Sequence, residues 1–240
     1  MVYVISDIHG NLHGFKQLLH SVDFDFSKDL LYVLGDTLDR GKDGIAILWY
    51  LLPYIKNGTC RHLAGNHEIF CRDFLSGKLD ARKWISYGGE HTLREIFMLT
   101  ERDKKTLLSL LENMPFFAEE CSPYVGKCLL SHTGALSVDD YAINHDGTIN
   151  VKASHMRALN DDFYHAMLCG DDVFQIPARD VRSFDRFWIF GHIPVFRLPE
   201  GGNTIYRRMK YMDIDTGSGF EDLGGRLCIY CMDTDTVEYW

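Results

Sequence analysis

The sequence predicts an α/β fold in which a mainly parallel sheet carries helices on its outside. Three short runs of β-favouring residues, Val2 to Ser6, Leu30 to Leu34 and Cys60 to Ala64, each end in a polar turn that contains glycine. Stretches with apolar residues at helical spacing separate these runs. A repeated order of strand, loop and helix is typical of βαβ units and of a parallel sheet.

The elements follow this order along the chain. After the first strand, the apolar residues between Leu12 and Val22 recur at helical spacing and predict the first helix. The second strand is followed by a predicted helix from about Asp43 to Ile55, which the turn pair Asn57-Gly58 closes.

The middle of the chain, from about residue 68 to 115, has a helical pattern and is expected to form a cap or flank of the same domain, which we take to span residues 1–240. After Pro115 the strand signals return. They lie at Cys128 to Leu130, at Phe187 to Phe190, at Tyr211 to Asp215 and in a final hairpin around Asp233 to Thr236.

Composition narrows the class of protein. The 240 residues are 46% hydrophobic and 13% aromatic, which suffices for a packed core. The formal charge of -9 argues against nonspecific nucleic-acid binding, which needs a cationic surface. No apolar run approaches the roughly 18 residues of a membrane span, and the N-terminal residues lack the layout of a signal peptide. We therefore expect a cytoplasmic protein without a nucleic-acid or membrane partner.

The cysteines give no metal or disulfide pattern. They number seven, which is odd, and they are scattered along the chain. Cys228 and Cys231 form one CxxC, but it lies in the strand-like run RLCIYCM without a second CxxC to complete a zinc site. A structural role is predicted for this pair.

Five strand ends carry the same kinds of polar residue: SDIHGN at 6–11, GDTLDRG at 35–41, GNHE at 65–68, SHTG at 131–134 and GHIP at 191–194. Asp, Asn and His side chains together suit divalent cations such as manganese, iron or zinc. Glycine beside each motif allows tight turns and leaves room for a ligand. The pattern indicates a metal site at one edge of a sheet.

In this order and at these separations, the five motifs resemble the signature of the metallophosphoesterases, and more closely that of the phosphoprotein phosphatase family. Pro194 stands where many nucleases and phosphodiesterases of the superfamily carry a second histidine, and this favours the phosphatase branch. The stretch from Trp84 to Leu93 resembles bacterial members of that branch. The resemblance implies a calcineurin-like α/β fold, a β-sandwich flanked by helices.

The resemblance also implies two divalent metal ions, with manganese expected and iron or zinc as alternatives. Two cations can share a water molecule, lower its pKa and hold the phosphoryl oxygens, so that a bridging hydroxide is the nucleophile. Asp36 would bridge them. Carried over residue by residue, the implied ligands are Asp7, His9 and Asp36 for one metal, and Asp36, Asn66, His132 and His192 for the other.

Other motif residues resemble the catalytic groups of the family. His67 would be the general acid, oriented by Asp39. Arg40 would bind phosphate oxygens through its rigid fork of donors. The family supplies a second phosphate-binding arginine, for which the match in this sequence is poor. Arg157 is the first candidate, and Arg179 and Arg182 are the next candidates.

The resemblance leaves the substrate open. A serine/threonine phosphoprotein phosphatase is the first expectation, and a hydrolase of dinucleoside polyphosphates such as diadenosine tetraphosphate is the alternative. A catalytically inactive binding scaffold is a third. The basic stretch from Arg197 to Lys210 is either a loop that recruits an anionic substrate or a solvated hairpin, and Asp215 is expected to shape a turn.

Overall fold

The computed structural model describes residues 1–134, 142–150, 153–154, 174–175, 177–182 and 184–240, without the side chains of residues 179 and 180. The strands are β1 (Val2–Ile5), β2 (Leu30–Val33), β3 (Cys60–His62), β4 (Phe117–Ser122), β5 (Gly126–Ser131), β6 (Phe187–Phe190), β7 (Tyr206–Arg208), β8 (Tyr211–Asp213), β9 (Cys228–Cys231) and β10 (Thr236–Tyr239). The helices are α1 (Leu12–Ser21), α2 (Gly44–Asn57), α3 (Asn66–Leu75), α4 (Ala81–Ser86), α5 (Glu90–Met98), α6 (Glu101–Glu112) and the short α7 (Ala178–Val181), with 3₁₀ turns at Val195–Arg197 and Glu221–Leu223.

The described strands form two five-stranded sheets. The first has the order β10-β9-β1-β2-β3 and the second β4-β5-β6-β8-β7. Three neighbouring strands run parallel in each sheet, namely β1-β2-β3 in the first and β5-β6-β8 in the second. The remaining strands pair antiparallel with their neighbours. Both sheets are therefore mixed.

The strands carry apolar side chains on both faces, so one face of each sheet can pack against the other sheet. Val4 and Tyr32 of the first sheet share one buried cluster with Leu130 and Ile189 of the second. The neighbouring strand residues face the helices on the outside. This sandwich with flanking helices confirms the predicted fold class.

The helices cover the two outer faces. Phe15 and Leu18 of α1 pack with Ile5 of β1 on the first sheet. Trp84 of α4 and Leu107 of α6 belong to the cluster that contains Trp188 of β6. Helices α3 to α6 lie in the region from about residue 68 to 115 that has the helical pattern.

The βαβ rhythm predicted one mainly parallel sheet, and this expectation needs correction. It describes only β1, β2 and β3, because the later strands build a second sheet and β9 and β10 return antiparallel to β1. Strand β4 was not predicted. Its sequence FAEECS holds Glu119 and Glu120 at an edge position, so the strand lacks a strong apolar alternation.

The side chains of the CxxC lie on opposite faces of β9. Cys228 belongs to the cluster between the sheets and Cys231 to the cluster under α1. Two cysteines that point to opposite faces of a strand cannot hold one metal, so the predicted structural role is confirmed. Among the described residues, no helix combines the length and the apolar character that crossing a membrane requires.

Leu130→Ala tests the sandwich core. Leu130 is fully buried between the sheets, so we expect the free energy of unfolding to fall by about 2–5 kcal/mol in urea denaturation. Leu223, which is 64% exposed, provides the control, and Leu223→Ala is expected to change stability by less than about 0.5 kcal/mol. Equal small effects would contradict the burial of Leu130.

Candidate functional site

The site lies where the parallel strands of both sheets end. Hydrogen bonds join the loops after β1 and β2: the backbone N–H groups of Asp7 and His9 donate to the carbonyls of Gly35 and Asp36, at 3.1 and 2.9 Å. The loops after β5 and β6 are joined in the same way, since the N–H of Gly191 donates to the carbonyl of His132 at 2.9 Å. The predicted ligand residues from four strands therefore converge.

The backbone at the site is unusual. Of the eight non-glycine residues with positive φ in the described part of the chain, six belong to these motifs. Such conformations are costly for residues with a Cβ and occur most often at functional sites, where the surrounding structure holds them. The six are Asp7, His9, Asp36, Asp39, Arg40 and His192.

Glycines bring the motifs close together. A Cβ on Gly65 would clash with the side chain of Asp36, and one on Gly191 would clash with Asp7. Both glycines therefore allow a neighbouring carboxylate to approach the backbone closely.

The carboxylate of Asp36 lies at the centre of the site. Its Oδ2 is 3.8 Å from Nε2 of His9 and 3.7 Å from Nε2 of His67, and its Oδ1 is 3.4 Å from Nε2 of His132. Burial opposes ionisation of this carboxyl, but the imidazoles around it, His132 foremost, hold its pKa well below the usual range. Asp36 therefore carries a negative charge at the point where the motifs meet.

Two imidazoles are oriented for cation binding. Nδ1 of His9 donates to the carbonyl of Leu38 at 2.9 Å, and Nδ1 of His132 donates to the carbonyl of Leu34 at 2.8 Å. This leaves the Nε2 lone pairs facing Asp36. Backbone carbonyls thus select the tautomer that a metal ion requires.

Two overlapping groups of side chains could hold metal ions. His9, Asp36 and His67 form the first, and Asp36, His132 and His192 the second, with the ligand atoms of each group within 4.8 Å of one another. Asn66 adds its Oδ1 to the second group, 2.9 Å from Nε2 of His132. Asp36 is common to both groups.

Asp7 also borders the first group. Its Oδ1 is 4.0 Å from Nε2 of His9, is buried, and has no hydrogen-bond partner among the described residues, whereas Oδ2 accepts from Ser6 and from the N–H of His192. A buried carboxylate oxygen without a partner is costly, and a cation at this position would satisfy it. The oxygen and nitrogen donors present fit divalent cations.

His67 and Asp39 form the predicted pair. Nδ1 of His67 donates to Oδ2 of Asp39 at 2.6 Å, and the same oxygen accepts the indole N–H of Trp84 at 2.8 Å. Burial lowers the pKa of His67, but the charges of Asp36 and Asp39 outweigh burial and raise it above the usual value. Sequence reasoning singled out Trp84 only as part of a family-like stretch, and its bond to Asp39 depends on the packing of α4.

Arg40 reaches the same site. Its guanidinium donates to Nε2 of His9 and stacks on the ring of Phe220, 4.4 Å from the ring centroid. Arg157, the predicted second phosphate-binding arginine, lies outside the described residues, and so does the side chain of Arg179. Arg182 is exposed and contacts Met209 rather than a motif residue.

Glu68 is the main residue of the site that the sequence did not reveal. Its fully buried carboxylate accepts backbone N–H groups of Asp36 at 2.7 Å, Thr37 at 2.9 Å, Leu38 at 3.2 Å and Gly65 at 3.0 Å. Burial is the main reason that its pKa is raised to about 7. Glutamate at the third position of a helix is a capping signal, and this could have indicated its role.

Asp215 shapes a turn, as expected. Its Oδ1 accepts the N–H of Gly217 at 2.9 Å, and its carbonyl accepts the N–H of Val195 at 2.9 Å. The residue is 1% exposed, and burial raises the pKa of its carboxyl well above the usual value. Asp215 therefore positions the loop that follows GHIP.

Comparison with known families gives the site a context. The family model described as calcineurin-like phosphoesterase matches residues 1–196. The chain belongs to this family. All five motifs lie within the matched residues. The predicted ligands therefore belong to the part of the chain that matches the calcineurin-like phosphoesterase family.

Curated relatives carry two different activities in their names. Bis(5'-nucleosyl)-tetraphosphatase, symmetrical, from Delftia acidovorans is 30% identical over 135 residues, which are 56% of this chain and 44% of that protein. Serine/threonine-protein phosphatase 1 from Salmonella typhimurium is 26% identical over 228 residues, 95% of this chain and 90% of that protein. The chain thus spans less than half the length of the first relative and most of the second.

Solved structures share the fold. The cold-active protein-tyrosine phosphatase of a psychrophilic Shewanella has a TM-score of 0.62 and 16% identity, covering 99% of this chain and 79% of its own. A protein serine/threonine phosphatase from Saccharomyces cerevisiae has a TM-score of 0.57 and 17% identity, covering 100% and 79%. At this identity the likeness concerns the fold alone.

Glu68→Gln tests the support of the site. The amide offers only one oxygen to four backbone donors, so the loop that carries Asp36 should shift, and we expect affinity for Mn²⁺ to fall by about 10- to 100-fold in calorimetric titration. Glu95→Gln is the matched control, because Glu95 likewise accepts backbone N–H groups, those of Ile45 and Ala46, away from the metal-binding groups. Unchanged Mn²⁺ affinity in a folded Glu68→Gln protein would contradict this role.

Proposed function

We propose that the chain is a phosphoester hydrolase that uses two divalent cations. The observation that carries this proposal is the position of Asp36, whose carboxylate is shared by two groups of side chains able to bind metal. Two cations held by a shared carboxylate supply Lewis acidity and an activated water for in-line attack on phosphorus. The ligands proposed for them are Asp7, His9, Asp36, Asn66, His132 and His192.

The protein side chains bind and orient the substrate and transfer a proton. Arg40 has a guanidinium beside His9, so phosphoryl oxygens held near His9 and Asp36 would lie within its reach. A planar guanidinium can donate two parallel hydrogen bonds to such oxygens. Arg40 thereby orients the phosphoryl group and stabilises the charge that develops on it.

His67 is proposed as the general acid. Asp39 accepts from Nδ1 and keeps the imidazole in one orientation, and Trp84 holds Asp39 through the same oxygen. The raised pKa of His67 favours the protonated form that a general acid needs. The proton on Nε2 would pass to the leaving oxygen as its bond to phosphorus breaks.

A phosphoserine or phosphothreonine side chain of a protein is the substrate that we propose first. The Salmonella phosphatase is similar over 228 residues, which are 95% of this chain and 90% of that protein. Residues outside the metal-binding motifs decide the substrate of such a site, so similarity over nearly the whole chain carries weight.

A dinucleoside tetraphosphate is the second candidate. The relatives from Delftia acidovorans and from Acidovorax are both symmetrical bis(5'-nucleosyl)-tetraphosphatases, at 30% and 31% identity over 135 residues. Their similarity covers only 56% of this chain and 44% of each relative. Family membership and phosphatase relatives both weigh against the inactive-scaffold alternative.

His67→Asn tests the reaction. In the Mn²⁺-loaded protein, we expect kcat/KM for a phosphoserine peptide to fall by about 100- to 10,000-fold, because a serine alkoxide needs a proton to leave. The loss on 4-nitrophenyl phosphate should be much smaller, since nitrophenolate leaves without protonation. His20, exposed at the end of α1, gives the control variant His20→Asn, for which no change is expected. Equal losses on both substrates would refute the general-acid role.

Wild-type rates on two substrates separate the candidate functions. A kcat/KM that is higher for phosphoserine and phosphothreonine peptides than for a dinucleoside tetraphosphate supports the first, and the reverse order supports the second. Sensitivity of either rate to His67→Asn shows that the same site is responsible.

A further inference from the structure

Phe220 holds two arginines beside the site. The guanidinium carbon of Arg40 lies 4.4 Å from the centroid of its ring, and that of Arg197 lies 4.9 Å from the same centroid. Cation–π contacts of this kind orient a guanidinium and leave its N–H edge open to other ligands. The two charged groups therefore lie within about 10 Å of each other on a common aromatic support.

Arg197 is tied to the backbone of the site. It ends the 3₁₀ turn that follows the GHIP motif, five residues after His192. Its N–H donates to the carbonyl of Pro194 at 2.8 Å, and the turn begins at Val195, whose N–H is held by the carbonyl of Asp215. A long side chain on a fixed turn can reach a substrate bound at the metal site.

In the described part of the chain, no carboxylate lies within ion-pair distance of either arginine of this pair. Among the described residues, neither Arg40 nor Arg197 forms an ion pair, although Arg207 pairs with Asp235 and Arg208 with Glu200. Glu221 follows Phe220 directly, but its Oε1 accepts the N–H of Gly219. In a chain of net charge -9, two arginines without a direct ion pair beside a candidate metal site indicate a place for anions.

One arginine already has a task in the proposed reaction. Arg40 contacts His9 and is placed to bind the phosphoryl group that is transferred. The described side-chain contacts of Arg197 are with the rings of Phe196 and Phe220, and neither residue is a candidate metal ligand. Its donors are thus available to a group beside the scissile phosphate rather than to that phosphate itself.

We propose that Arg197, supported by Phe220, forms a subsite for a second oxyanion carried by the substrate next to the phosphate that is cleaved. This inference rests on the proposed hydrolase function and specifies its substrate class. Two substrates offer this chemistry: the adjoining phosphate of a dinucleoside polyphosphate, and the carboxylate of an acidic residue that flanks a phosphorylated serine or threonine. Under this proposal, Arg197, the first residue of the basic stretch from Arg197 to Lys210, recruits an anionic substrate.

The experiment compares substrates that carry a second anion with substrates that lack one. For the Mn²⁺-loaded protein, kcat/KM is measured with a dinucleoside tetraphosphate, with a phosphoserine peptide flanked by glutamate, with the same peptide flanked by glutamine, and with 4-nitrophenyl phosphate. Arg197→Ala removes the guanidinium, and Arg197→Lys keeps the charge but not the fork of donors. Arg208→Ala is the matched control, since Arg208 also stacks on a ring, that of Tyr206, and is a surface arginine outside the site.

The expected result is a change in ratios. Arg197→Ala should lower kcat/KM for a two-anion substrate, relative to its one-anion reference, by about 10- to 100-fold, as the loss of a charge-assisted hydrogen bond implies. Arg197→Lys should restore the ratio only in part, and Arg208→Ala should leave it at the wild-type value. A selective loss on the tetraphosphate identifies phosphate as the second anion, and a selective loss on the glutamate peptide identifies a carboxylate.

An unchanged ratio for both pairs of substrates in Arg197→Ala would overturn the subsite, as would an equal loss on one-anion and two-anion substrates. The proposed function has its own readout in the same experiment. If the wild-type protein hydrolyses 4-nitrophenyl phosphate in a Mn²⁺-dependent way while the ratios do not respond to Arg197, only the subsite fails. If no substrate is hydrolysed, the hydrolase function fails with it.

Discussion

The buried carboxylate of Glu68 is the interaction on which the site depends. It accepts four backbone N–H groups, three from the loop after β2 and one from the start of α3. Asp36 belongs to this loop and has a left-handed backbone conformation that requires such support. The position of the shared carboxylate therefore follows from a side chain that takes no part in metal binding. Because Glu68 is the neighbour of His67 in sequence, the same contact also places the proposed acid.

Electrostatics explain why this arrangement suits cations. Asp7, Asp213 and Asp215 are all at most 1% exposed, and burial is the main cause of the raised pKa of each carboxyl. Asp36, in contrast to these three, is held ionised by the imidazoles around it. Divalent cations at the shared carboxylate would offset the repulsion among these acids, so metal binding and folding stability should be coupled. The positive φ of six motif residues is maintained by the hydrogen bonds around them, and bound cations would add to this support.

Reaction type and substrate choice depend on different parts of the molecule. The motif side chains, with Asp36 at their centre, form the site that we propose for phosphoester hydrolysis, within the residues that match the calcineurin-like family. The surroundings are formed by segments distant in sequence: Trp84 on α4 supports Asp39, and Phe220 between β8 and β9 supports Arg40. A site of one chemistry can serve several substrates when only these surroundings change, which is consistent with relatives named for two different activities.

Much of this protein could be predicted from its sequence, because strand runs and the polar turns after them are local patterns. The strands ending at Ile5, Val33 and Phe190, the helical middle, and the convergence of His9 with Asp36 follow from such patterns, since parallel strands end at one edge of a sheet. Asp36 and His132 meet only because the first sheet packs against the second. The division into two sheets was not visible in the βαβ rhythm, and the edge strand β4 lacked a pattern of its own. Contacts between distant segments, such as Glu68 with the loop after β2 and Arg197 with Phe220, arise only when helices and loops pack on the sheets. The sequence by itself determined which residues stand at the strand ends, whereas tertiary packing decided what holds them and which charged groups surround them, because a contact between segments depends on the geometry of the whole fold.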